Sequence, residues 1–168
     1  VIGAGGIGLN VIQAARISGA NPILVLDTNR DKEPLARQMG ATDFIDPRAE
    51  GDAVAAVKAR TGGWGVNHVF ECVGAKRLME DAIKMADWGG NVVLIGVAPP
   101  DTQVEFPPLG LLLDVSIMGC RYGTSQPQND VKRVCSLYQA GRYELDALVS
   151  KRYPLADFEH LIEDMEAG

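Results

Sequence analysis

The sequence predicts an α/β fold, a doubly wound parallel sheet with helices on both faces, and three observations carry that prediction. Apolar stretches of strand length alternate with stretches of helical period along all 168 residues. A glycine turn, Gly3-Ala4-Gly5-Gly6-Ile7-Gly8, follows an apolar stub and opens the first helical stretch. An acid, Asp27, stands at the end of the next strand, about 20 residues beyond the turn, as a βαβ unit requires.

The elements follow in order. Val1 and Ile2 read as a truncated first strand; no initiator Met precedes them, so further chain is expected upstream. A helix is predicted from about Gly6 to Ser18, with Gly8, Val11, Ile12 and Ala15 on one face, stopped by Gly19-Ala20-Asn21-Pro22. Ile23 to Leu26 is the second strand. A helix over about Arg30 to Met39 ends at Gly40, and a short third strand lies around Phe44 and Ile45.

Ala53 to Arg60 reads as helix, broken by Thr61-Gly62-Gly63, and Val66 to Val73 as the fourth strand. A helix from Lys76 to Ala86 leads through Gly89-Gly90 into a fifth strand, Asn91 to Ile95. The proline-rich stretch from Ala98 to Pro108 is expected to be irregular, since proline cannot donate to a ladder. Val115 to Gly119 is the sixth strand. Two helices follow, Asn129 to Ala140 with Val131, Val134, Cys135 and Tyr138 at helical spacing, and Leu155 to Glu166 with Leu155, Phe158, Ile162 and Met165. Gly168 reads as a C-cap leading into more chain downstream. No internal repeat or linker interrupts the βα alternation, so residues 1–168 are read as one domain.

Composition narrows the function. With 46% hydrophobic and 23% charged residues the chain fits a globular domain, and no apolar run approaches the roughly 20 residues of a membrane span. Three cysteines, Cys72, Cys120 and Cys135, are too few and too scattered for a disulfide framework or a CxxC metal site, so a reducing, cytoplasmic setting is expected. A net charge of −6 repels polyphosphate and argues against a nucleic-acid partner. Any bound anion must therefore be held by local donors.

The glycine turn supplies such donors. Gly3 permits the tight turn, Gly5 lets a pyrophosphate approach the backbone, and Gly8 lets the helix pack closely. The helix start adds unpaired N–H groups and the positive end of its dipole, so two phosphates can bind without a lysine. The motif alone is weak and could be only a glycine-rich turn. Asp27 strengthens it, because an acid there faces the ribose of a dinucleotide. Its carboxylate accepts bonds from ribose hydroxyls but repels a 2′-phosphate, which predicts NAD over NADP. Arg30 and Lys32 lie nearby and soften that preference, unless they are only solvated charges at a helix start. The strand ends Cys72-Val73-Gly74 and Ile95-Gly96-Val97 should face the same crevice, where small residues leave room for flat rings; the alternative is that these glycines only terminate strands.

The runs VIGAGGIGLNVIQAARISGA, VLDTNRDK, FECVG and LIGVAPPD closely resemble the coenzyme domain of medium-chain, zinc-dependent alcohol dehydrogenases, including their glutathione-dependent formaldehyde dehydrogenase class. The resemblance covers essentially the whole chain. It implies a Rossmann fold with strand order 3-2-1-4-5-6 and an enzyme that transfers hydride between an alcohol, or an aldehyde adduct, and NAD. It further implies pyrophosphate contacts at Gly5, Gly6 and Ile7, ribose contacts at Asp27 and Lys32, adenine-side packing at Val73, and Val97 beside the nicotinamide. Backbone groups at Cys120 and Tyr122 would hold the carboxamide.

The same resemblance places the family's zinc ligands in an upstream domain that this sequence does not contain, so no catalytic residue and no metal ligand is assigned here. His68 and His160 are read as structural histidines, and Cys72 as a packing residue rather than a nucleophile or ligand. Val115 to Gly119 resembles the edge through which family members form dimers, which implies a two-fold dimer or an assembly of dimers. Three rivals stand beside this reading. One is an S-adenosylmethionine-dependent methyltransferase on a similar sheet, one a zinc-free quinone reductase of the same superfamily using NADPH, and one a non-catalytic binding module.

Overall fold

The computed structural model describes residues 1–167; Gly168, expected to cap the last helix, lies outside the described residues. Five strands, β1 (Leu24–Leu26), β2 (Asp43–Ile45), β3 (Val66–Glu71), β4 (Ala86–Leu94) and β5 (Ser116–Gly119), pair in parallel wherever they pair. The ladders run β1 with β2, and β3 with β4 with β5. Ile2 forms parallel bridges to both Leu26 and Glu71 and so stands between the two ladders. The apolar stub thus contributes one bridging residue.

Side-chain alternation along the strands explains why helices cover both faces. Leu24 and Leu26 point into one buried cluster with Ile2, Val69 and Val92, roofed by Ala56 and Val57 of α4 (Ala53–Arg60) and Ala82, Ile83 and Met85 of α5 (Lys76–Met85). Ile23 and Val25 point the other way, against Leu9 and Ile12 of α1 (Gly6–Ile17) and Ala36 and Met39 of α2 (Glu33–Met39). Each Val, Leu, Ile or Met among them, fully buried, contributes roughly 1.5–3 kcal/mol.

Several boundaries and faces differ from expectation, each for a local reason. The buried face of α1 carries Gly8, Leu9, Ile12 and Gln13 rather than Val11. Gln13 is fully buried because its amide exchanges two hydrogen bonds with the Glu144 backbone, a partner far away in sequence. Pro34 confines α2 to Glu33–Met39, and the residues before it form a 3₁₀ turn, Arg30–Lys32, capped by the Asn29 side chain. A short helix, α3 (Pro47–Glu50), was not expected; Asp46 caps it and Pro47 opens it.

The fourth predicted strand ends at Glu71, not Val73, because the next amides turn back to the Glu71 carboxylate. The fifth begins five residues earlier than predicted, at Ala86, and stops at Leu94 rather than Ile95. Its register against β3 shifts between Val66 and His68, which absorbs Gly89 and Gly90. The sixth starts at Ser116, with Val115 buried beneath it in the core. The proline-rich crossing is irregular as expected and closes with a short helix, α6 (Leu109–Leu112).

The last two long helices, α7 (Pro127–Gln139) and α8 (Phe158–Ala167), lie near their predicted positions, but their apolar stripes are not covered. α7 has no buried residue, and Val131, Phe158, Ile162 and Met165 are exposed. Residues Leu155–Asp157 form a separate 3₁₀ turn before α8. Among the described residues no helix is long and apolar enough to cross a membrane.

Candidate functional site

At the carboxyl ends of β1 and β3 a cleft of about 360 Å³ is lined by Gly3, Gly5, Asp27, Lys32, Cys72 and Val73 among others. Six of the residues singled out from sequence therefore share one wall system. A larger hollow, about 880 Å³, opens at the amino ends of the strands between Ile23 and Val66–Val69. It contains none of those residues, and we place no chemistry there.

The turn is held by its own geometry. Gly3 donates to the Leu26 carbonyl at 2.7 Å and adopts φ +93°, a left-handed conformation that favours glycine. A Cβ there would also lie 2.7 Å from Val73 Cγ2. Gly8 is the tightest position: a Cβ would sit 1.8 Å from the Gly3 carbonyl oxygen, so the helix packs against the turn itself. Gly5 and Gly6 are different, since a Cβ on either would meet nothing within 4 Å. Their bareness serves no internal packing and leaves the backbone open from outside. Gly5 caps α1 in extended conformation with no side-chain hydrogen bond on the first turn, and Gly5, Gly6 and Ile7 are exposed. The first-turn N–H groups and the positive helix end are thus available to an anion.

Asp27 faces this helix start. Its Oδ2 accepts the Ala4 N–H at 2.8 Å, its Oδ1 accepts the Asn29 N–H at 2.8 Å, and Lys32 Nζ lies 3.5 Å from Oδ2. A carboxylate has about four acceptor sites, so capacity remains for hydroxyl donors. Arg30 turns away to pair with Asp46 at 3.5 Å.

The other predicted residues form a second group. Gly74, at φ +91°, and Gly96 approach each other so closely that a Cβ on Gly96 would lie 2.1 Å from Gly74 N, and one on Gly74 2.4 Å from the Val97 carbonyl oxygen. The space these glycines leave is filled by facing backbone, not by an opening for a ring. Ile95, Gly96, Val97, Cys120 and Tyr122 do not line the cleft; Val97 is 91% exposed and Tyr122 87% exposed. Cys120 donates its N–H to the Leu94 carbonyl, continuing the β4 ladder by one residue.

Cys72 is half-buried, and burial pushes its thiol pKa up to about 11, which suits a packing residue and not a nucleophile. His68 is exposed on β3, and His160 lies beside Glu163 and edge-on to Tyr153. Among the described residues no group of three or more His, Cys, Asp or Glu could hold a metal ion, so zinc has no fitting site on these residues.

Glu71 escaped the sequence reading. It is fully buried, yet its carboxylate accepts N–H bonds from Val73 and Gly74. The available signal was an acid next to the apolar pair Val69-Phe70 of the strand, directly before the Cys-Val-Gly turn.

The family described as zinc-binding dehydrogenase matches residues 6–140. An S-(hydroxymethyl)glutathione dehydrogenase from Synechocystis is 35% identical across the whole chain, and a geraniol dehydrogenase from Castellaniella defragrans is 34% identical. The chain spans 46% and 45% of those two relatives, about half their length. A zinc-binding-domain alcohol dehydrogenase protein from Burkholderia ambifaria superposes with a TM-score of 0.93 at 32% identity, covering 99% of this chain and 45% of the other. A Sinorhizobium meliloti protein solved with NADP superposes with a TM-score of 0.78 at 32% identity, over 86% of this chain and 42% of that one.

Proposed function

Because the chain belongs to the zinc-binding dehydrogenase family, we propose that residues 1–168 form a single coenzyme domain that binds NAD for hydride exchange with an alcohol or an aldehyde adduct. One observation carries the reading: the uncapped, exposed start of α1 and the Asp27 carboxylate meet at one cleft. The amides of Gly5, Gly6 and Ile7 would bind the pyrophosphate, with Gly3 and Gly8 fixing the turn. Asp27 and Lys32 would take the adenosine ribose, and Val73 would pack against the adenine. Val97 would line the nicotinamide, with the strand ends at Cys72, Gly74, Ile95 and Gly96 facing the same crevice and the backbone at Cys120 and Tyr122 holding the carboxamide.

The strand order we read is 3-2-1-4-5-6, counting the stub as strand 1; the two bridges of Ile2 support it. Bound NAD supplies the hydride acceptor. What these residues do is hold its phosphates by backbone donors, orient its sugars and keep a net-negative protein compatible with an anion. The zinc ligands belong, in this proposal, to chain outside these residues, since none here fit. The unpaired edge of β5 is the proposed seam of a two-fold homo-oligomer, and the setting cytoplasmic.

NADP is the competing cofactor, given the similar structure that holds it. Asp27 opposes it, because both carboxylate oxygens lie where a 2′-phosphate would add like charge. Calorimetric titration with NAD, NADP and S-adenosylmethionine tests the proposal. NAD is expected to bind most tightly, and Asp27→Ser to shift the NAD-to-NADP affinity ratio toward NADP by about tenfold or more. An unchanged ratio removes Asp27 from cofactor selection, and preference for S-adenosylmethionine contradicts the dehydrogenase reading.

A further inference from the structure

Glu71 is the one fully buried carboxyl group in the fold's interior among the described residues, and no cation pairs with it there. Its neighbours explain how it can stay. Oε1 accepts the Val73 N–H and the Gly74 N–H, each at 2.9 Å, and Oε2 lies 3.1 Å from the Gly74 nitrogen. A buried carboxylate is costly unless backbone donors satisfy it, so a residue kept there at this cost needs a reason. An apolar side chain would fill a strand interior more cheaply.

The reason lies in what the residue ties together. Its main-chain carbonyl accepts the Ile95 and Gly96 N–H groups, both at 2.9 Å, while its side chain holds Val73 and Gly74. On the other side Ile2 bridges to Glu71, and Cys72 donates to the Ile2 carbonyl. One residue therefore joins the glycine turn's entry, the end of β3 and the end of β4. The Val73 methyl it places packs over Gly3, and the Gly74 backbone it places abuts Gly96.

We propose that Glu71 is a positioning residue for the coenzyme crevice: its carboxylate holds the Val73-Gly74 turn while its main-chain carbonyl holds Ile95-Gly96 against that turn, so that the crevice wall keeps the spacing a dinucleotide needs. The inference rests on the dinucleotide reading above. Glu71 touches no part of the bound molecule; it acts through the backbone of the residues that do.

The test uses the full chain, with NAD affinity by calorimetry and site-resolved amide hydrogen exchange for wild type, Glu71→Gln and Val57→Ala. Val57 is buried on the inner face of α4, does not line the cleft, and reports what a general loss of stability does. Glutamine keeps the shape and one acceptor but turns an N–H donor toward Gly74. Glu71→Gln is expected to weaken NAD about tenfold or more and to speed exchange at Val73, Gly74 and Gly96, while Val57→Ala leaves affinity within about twofold. If wild type binds NAD and Glu71→Gln binds it within about twofold, or if Val57→Ala loses as much at the same drop in Tm, the positioning role is wrong. A wild type that takes no NAD overturns the coenzyme reading and this inference with it.

Discussion

Gly5 and Gly8, three positions apart in one motif, are bare for opposite reasons, and substitution separates them. An Ala at Gly8 must push its Cβ into the Gly3 carbonyl, so Gly8→Ala is expected to cost about 1–3 kcal/mol in urea denaturation and to disrupt the turn. Gly5→Ala meets open space and should change stability by less than about 1 kcal/mol while weakening NAD about tenfold, because the methyl stands where a phosphate approaches. Equal stability losses would show that the openness at Gly5 is not reserved for a ligand. Cys72 carries a pH signature. Its folded pKa, raised to about 11 from an ordinary 9, means the folded state holds the proton more tightly than the unfolded chain. Stability is then fully present below pH 9 and falls as pH rises toward 11, a decline that Cys72→Ala should flatten in thermal melts.

Elements were legible where period and punctuation agreed. α4 matches its predicted span because Asp52 caps it and Thr61-Gly62-Gly63 breaks it; the Asp52 side chain accepts the Ala55 N–H at 3.0 Å. Asp52→Ala is expected to lower stability by about 1 kcal/mol, read from the denaturation midpoint, and no change would mean that the cap is not holding the helix. Boundaries failed where tertiary contacts outvoted local pattern. β4 begins at Ala86, the predicted end of the preceding helix, because the shift from Val66↔Ala86 to His68↔Asn91 lets the strand run through Gly89 and Gly90. α1 hides Gln13 in place of Val11 because the Glu144 backbone, far away in sequence, offers both a donor and an acceptor. The glycine turn and Asp27 were legible because their chemistry is local. Glu71 was not, since its burial and its main-chain bonds to Ile95 and Gly96 arise only where two strand ends meet, although its side-chain partners Val73 and Gly74 are local.

At the scale of the molecule, the charge of −6 and the proposed anion are reconciled by geometry. Coulombic repulsion acts over a screened distance of about 8–10 Å, whereas helix amides act at contact. The uncovered stripes of α7 and α8 show the limit of periodicity: it marks which face is apolar and not what covers it. The central claim is that backbone donors at the start of α1 hold two phosphates while Asp27 holds a ribose. A crystal structure of the full chain with NAD tests it most directly. The account predicts pyrophosphate oxygens within hydrogen-bond distance of the Gly6 and Ile7 amides and a ribose hydroxyl on the Asp27 carboxylate. A nucleotide bound instead in the hollow between Ile23 and Val69, with the glycine turn empty, would contradict it.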